Sequence, residues 1–130
     1  MHIEDLSGQI DVLNERDLLD RLRSGRRGSY GAFVLSHEDG GPFFHIHING
    51  ELAYLHYLPD YSGASAGFQA SGMSPPDCPT DVHFLQIDGS EADSITMPAG
   101  TLVGVEKAYQ AAKEFLQRPQ LPSSITWLEL

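Results

Sequence analysis

Hydrophobic positions along the chain run first at helical spacing, then at strand spacing, then at helical spacing again. After Asn14, Leu18, Leu19 and Leu22 form one apolar stripe. Asn14 is placed to cap this helix, with Asp17 at its third position. Arg21 and Arg23 suit the C-terminal end and Gly25 stops it. Gly31 to His37 is an apolar run of strand length, and Glu38-Asp39-Gly40-Gly41-Pro42 reads as a turn. Two β-rich runs, Phe43 to Ile48 and Glu51 to Leu58, then flank Asn49-Gly50, a pair suited to the positive φ angles of a type I′ hairpin. A loop made of those two residues puts Ile48 opposite Glu51, Ile46 opposite Ala53 and Phe44 opposite Leu55, on the face expected to enter the core. The other face carries Phe43, His45, His47, Leu52, Tyr54 and His56.

Asp60 to Pro79 is rich in Gly, Ser and Pro and reads as loop, with a weak strand at Phe68. Val82 to Asp88 is a further strand ended by Gly89, and Ile95-Thr96-Met97 is a short one before Pro98. From Val103 to Gln117 the helical period returns. Val105, Ala108, Tyr109, Ala112, Phe115 and Leu116 share a face, and Pro119 forbids continuation. The tail from Ser124 to Leu130 reads as a final strand. This order predicts an α+β fold. It is an antiparallel β-sheet of about five to seven strands, with an N-terminal helix and a C-terminal helix packed on the sheet and the final strand at the C-terminus. The chain has 130 residues, 41% of them hydrophobic, with no repeat and no second core, so residues 1–130 are expected to form one domain.

Charge changes the picture more than composition does. All eight Lys and Arg lie outside the stretch from Gly28 to Glu106, which carries ten acids. The flanks balance, so the net charge of -10 belongs to the middle. A field of one sign selects partners rather than folds: it repels nucleic acid and anionic membrane and attracts a basic surface. Asp60, Asp77, Asp81, Glu91 and Asp93 sit in or beside predicted loops and are the candidate partner-binding residues. No apolar run approaches the ~18 residues of a membrane span. The acidic start, Met1-His2-Ile3-Glu4-Asp5, lacks the features of a signal peptide.

The residues that invite a catalytic reading are few. The single Cys78 lies between Pro76 and Pro79, fits a reducing compartment, and has no motif around it to make it a nucleophile. His45, His47 and His56 project from one hairpin face, and histidines two apart on a strand can share a metal. Gly40, His45-Ile46-His47 and Glu51 resemble the first cupin motif, but with four residues rather than five before the first histidine. Pro98-Ala99-Gly100 begins the second cupin motif, yet Val103 stands where its histidine belongs. The expectation is therefore no metal, no cofactor and no catalytic set. A small metal-dependent enzyme using His45, His47 and His56 is the alternative, and a general acidic adaptor is a third reading. No Gly-x-Ser-x-Gly elbow or phosphate-cradling loop is present.

The C-terminal third carries a resemblance. Met97-Pro98-Ala99-Gly100 is followed by a helix from Glu106 to Ala112 that runs into Glu114-Phe115-Leu116. Pro122, Ile125 and Trp127-Leu128-Glu129 come next. With the Asn49-Gly50 hairpin, Ala53-Tyr54-Leu55, Phe84 and Gly89, this resembles the Imm1 family of bacterial immunity proteins over roughly residues 30 to 130. Trp127, Phe115 and Gly50 match its pattern, and each also has a packing or turn explanation, Trp127 as a seal on the core beneath the last helix. The resemblance implies a cytoplasmic antitoxin, not an enzyme. Its partner would be a polymorphic toxin, often a deaminase or nuclease directed at nucleic acid, whose basic groove an acidic inhibitor can occupy.

Overall fold

The computed structural model describes residues 1–87 and 94–130. Its elements begin with two short strands, β1 (His2–Asp5) and β2 (Gly8–Asp11), and helix α1 (Glu15–Ser24). Strands β3 (Tyr30–Ser36), β4 (Phe43–Asn49), β5 (Leu52–Leu58) and β6 (Phe68–Ala70) follow, then β7 (Val82–Phe84), β8 (Ile95–Met97) and β9 (Leu102–Gly104). Helix α2 (Val105–Gln117) and strand β10 (Trp127–Glu129) complete the order. The main sheet runs β10-β6-β5-β4-β3-β1-β2 with every pairing antiparallel, and β9 adds to the free half of β5. β7 and β8 pair separately as a two-stranded sheet. The α+β class with both helices on one sheet face is as the periodicity predicts.

Both helices form for local reasons. Asn14 accepts a hydrogen bond from the Asp17 backbone N–H at 2.9 Å, and the Gly25 N–H closes the helix on the Arg21 carbonyl at 2.8 Å. Gly25 stops α1 with an ordinary φ of -80°. Its missing side chain matters because a Cβ there would lie 2.5 Å from the Asp5 carboxylate. α2 begins two residues later than its apolar period suggests. Val103 and Gly104 are spent on β9, where Val103 pairs with Ala53. α2 buries Val105, Ala108, Tyr109, Ala112 and Phe115, and Ala111 besides. With Leu18 and Leu22 these residues cover Phe33, Leu35, Phe44, Ile46, Ile48, Leu55 and Tyr57 of the central strands. Phe115 is fully buried, edge-on to Phe44 at 5.6 Å. Trp127 joins the same cluster, 6.1 Å from Phe44, and its indole N–H donates to the Pro122 carbonyl at 2.8 Å. It seals the core as expected.

The β4–β5 hairpin departs from its expected register by two. Asn49 pairs with Leu52, Ile48 with Ala53, Ile46 with Leu55 and Phe44 with Tyr57, so the loop is Gly50-Glu51 rather than Asn49-Gly50. Of these two only Gly50 has positive φ (62°), which matches a type II′ turn and not type I′. Asn49 is held in the strand because its side-chain amide donates to the His83 carbonyl at 2.9 Å. The turn is fastened from both sides: Gly50 N–H donates to Ser29 and Val105 N–H to the Glu51 carbonyl, at 2.9 and 2.8 Å. A slip of two leaves the faces unchanged. Phe44, Ile46, Ile48, Ala53 and Leu55 are in the core as expected, whereas Glu51, expected on the same face, is exposed in the turn.

The N-terminal strands were not visible in the apolar pattern, because β1 buries one apolar residue, Ile3, and β2 buries none, its Ile10 being exposed. β1 is instead anchored by Asp5, only 3% exposed, whose carboxylate lies 2.5 Å from the Arg21 guanidinium of α1. Burial raises the Asp5 pKa, but hydrogen bonds from Ser7 and the charge of Arg21 outweigh it and hold the group below its ordinary value.

Candidate functional site

On the face away from the helices, cross-strand pairing lines up two rows of side chains. One runs Gln9, Glu4, Val34, His45, His56, and the next runs Asp11, His2, Ser36, Phe43, Leu58. Part of this outer face is covered. The β7–β8 sheet lays Phe84 against Tyr54 and Leu102, with Leu52, Val82, Ile95 and Met97 around them. Tyr54 and His47 are buried, so this part of the histidine-aromatic face is core rather than exposed surface. Cys78 packs at the edge of the same cluster.

The three histidines stand together without converging on a point. The ring centroids of His45 lie 6.5 Å from His47 and 5.7 Å from His56. His47 Nδ1 is 3.0 Å from the Leu85 carbonyl and His56 Nε2 is 2.9 Å from that of Ala66, so both rings spend a nitrogen on backbone. Among the described residues no group of three His, Cys, Asp or Glu side chains is placed to hold a metal. The second cupin-like element fares no better: Val103 is buried and Pro98-Ala99-Gly100 leads through a short turn into β9 and α2. Burial, with the neighbouring His47 and His56, lowers the His45 pKa to about 4. His47 is lowered too, chiefly by burial, so both rings are neutral near pH 7.

The rest of the outer face is open. A groove of about 320 Å³ lies over β1, β3 and β4, lined by His2, Glu4, Gln9, Val34, Phe43 and His45 among others, with Asp39 and Tyr61 above them. Tyr61 is 65% exposed, yet its ring is fixed by stacking on Phe43 at 3.9 Å and 14°. The Tyr61 hydroxyl is pushed up by burial and then by the Glu4 charge, which reaches it across the groove. At the far end His2 pairs with Asp11.

The five acids expected to meet a partner are only partly gathered. Asp77 and Asp81 are exposed in the loop entering β7, both with positive φ, 58° and 57°. Asp60 is exposed in a different loop, after β5, where its carboxylate accepts the Ser62 N–H at 2.8 Å. Glu91 and Asp93 lie outside the described residues. Glu4 and Asp39 were absent from that set although β1–β3 pairing brings them to one groove. Glu4 belongs to the flanks, which together balance, so counting charge along the chain hides it. In space the segregation is sharper than in sequence. Among the described residues no strand contains Lys or Arg. The bases lie on α1 and α2, in the Arg26-Arg27 link to β3, and at Arg118 after α2.

The chain is 29% identical, over a 134-residue alignment covering all of both proteins, to the double-stranded DNA deaminase immunity protein of Burkholderia cenocepacia (strain H111). Residues 10–129 match the family described as immunity protein Imm1. The chain therefore belongs to the Imm1 family of immunity proteins.

Proposed function

We propose that this protein binds and neutralises a cognate toxin that acts on nucleic acid, a deaminase as the name of its relative suggests, by occluding the toxin's basic groove. The observation that carries this reading is the one-signed charge of the sheet: every described strand is free of Lys and Arg, and the bases lie on the helices and their flanking links, where the acids of each helix balance its bases. A nucleic-acid enzyme needs a cationic surface for its substrate, and an acidic face competes for it. The protein works as a binder and not as a catalyst. Its action belongs in the cytoplasm, where a toxin reaching the cell's own DNA must be stopped. No described helix is long and apolar enough to cross a membrane. Asp60, Asp77, Asp81, Glu91 and Asp93 steer the toxin toward the sheet side.

The test is to mix the purified chain with the toxin domain encoded beside it and measure deamination of double- and single-stranded DNA. Stoichiometric inhibition, and protection of cells expressing the toxin, are expected. Unchanged turnover at molar excess of the chain would refute the proposal. Inhibition of a nuclease instead would correct the toxin class alone.

A further inference from the structure

The open groove on the outer sheet face has a chemistry of its own. Its floor includes the apolar side chains Val34 and Phe43, and its wall includes the exposed ring of Tyr61 locked against Phe43. Two carboxylates, Glu4 from β1 and Asp39 from the turn before β4, join this lining, and no Lys or Arg does. Among the described residues neither carboxylate has a side-chain hydrogen bond or ion pair. An aromatic face beside unpaired carboxylates is the arrangement that receives a planar cation, stacked on the ring and bonded at its edge.

We propose that this groove seats an arginine side chain of the toxin, its guanidinium against the Tyr61 ring and bonded to Glu4 and Asp39. The proposal rests on the immunity reading for its partner, but the groove's preference for arginine is a property of this chain alone. Arginine is favoured over lysine because it stacks, forks to carboxylates and sheds water more readily than an ammonium. The Asp60, Asp77 and Asp81 loops then steer a partner on approach, and the groove holds it.

The probe is acetyl-arginine amide, titrated into the isotope-labelled full chain and followed by amide chemical shifts, with acetyl-lysine amide and acetyl-norleucine amide as controls. Saturable shifts are expected at Glu4, Val34, Ser36, Asp39, Phe43 and Tyr61, larger for arginine than for lysine and absent for norleucine. Glu4→Gln with Asp39→Asn should weaken binding about tenfold, as loss of charge-assisted bonds does. Tyr61→Leu, an exposed loop change that leaves the amide spectrum otherwise intact, should weaken it too. Equal response to lysine, saturation elsewhere on the surface, or variants that bind as wild type would each overturn the proposal. With the toxin, the same variants should dissociate faster. Should the chain bind arginine in the groove yet inhibit no toxin, the immunity reading fails and the groove stands. Should it inhibit a toxin with the groove variants unimpaired, only the groove fails.

Discussion

The two faces of the central strands bury different chemistry. Under α1 and α2 the cover is aliphatic and aromatic, and the buried charge there, Asp5, keeps its ionised form because Ser7 and Arg21 meet it. On the outer face the buried polar group is His47, beside a largely buried His45, and both are kept neutral by loss of water. The helix side is thus a conventional core closed by helices whose acids and bases balance. The outer side is a thinner seal, a two-stranded sheet over imidazoles, next to an open acidic groove. The lesson is that stability is concentrated on one face of these strands and recognition on the other, so substitutions should separate the two.

The sharpest separation comes from Phe115, which contacts Phe44 and Tyr57 rings and is fully buried. Phe115→Ala should cost about 3 to 5 kcal/mol, the range for a buried aromatic truncation. Denaturant melts showing a loss under about 1 kcal/mol would mean the helix face is not the main core.

Acid is the second lever, and it distinguishes the faces by pH window. A histidine whose folded pKa lies below its unfolded value takes up its proton in the unfolded chain first. His45 stability is therefore complete above pH 6.5 and is lost as pH falls from 6.5 toward about 4. One such group contributes a slope of about 1.4 kcal/mol per pH unit, or about 3 kcal/mol over that window. Asp5 behaves differently, since its lowered pKa leaves its contribution intact until pH falls below 3.8. Melts from pH 7 to 4 should show the loss, and His45→Gln should flatten it. A profile flat to pH 4 would show that the outer histidines are not sealed from water.

Much of this architecture was legible in residues, and the parts that were not have physical reasons. The Asn14 cap, the α2 face and the partition of the hairpin into Phe44-Ile46-Ile48 and Phe43-His45-His47 all follow from local period and chemistry. The register did not, because it is set by distant partners, the His83 carbonyl on Asn49 and the Val105 amide on Glu51. β1 was hidden because its anchor is an ion pair to a helix rather than an apolar stripe, and β2 because all four of its residues are exposed. Val82 and Phe84 read as a strand, but nothing local says that it lies across the histidines. The acids were legible as charge and not as place. Glu4 and Asp39 are 35 positions apart in the numbering and meet only through sheet pairing.

The smallest effect on stability, and the most telling about recognition, should come from the acidic loops. Asp60, Asp77 and Asp81 are exposed, and Asp77 and Asp81 adopt left-handed backbone that Asn tolerates well, so Asn is the replacement that removes charge without adding strain. Asp60→Asn, Asp77→Asn and Asp81→Asn together should change folding stability by no more than about 0.5 kcal/mol, as surface substitutions do. They should slow association with the toxin and flatten its dependence on salt, because rim charges act on encounter and less on the bound complex. Dissociation should barely change, whereas the groove variants should raise it. Stopped-flow association at low and high salt measures the first effect, and competition chase measures the second. An unaltered association rate at low salt would remove these loops from the steering surface. A faster dissociation from the loop variant alone would move the anchoring contact off the sheet groove and onto the loops.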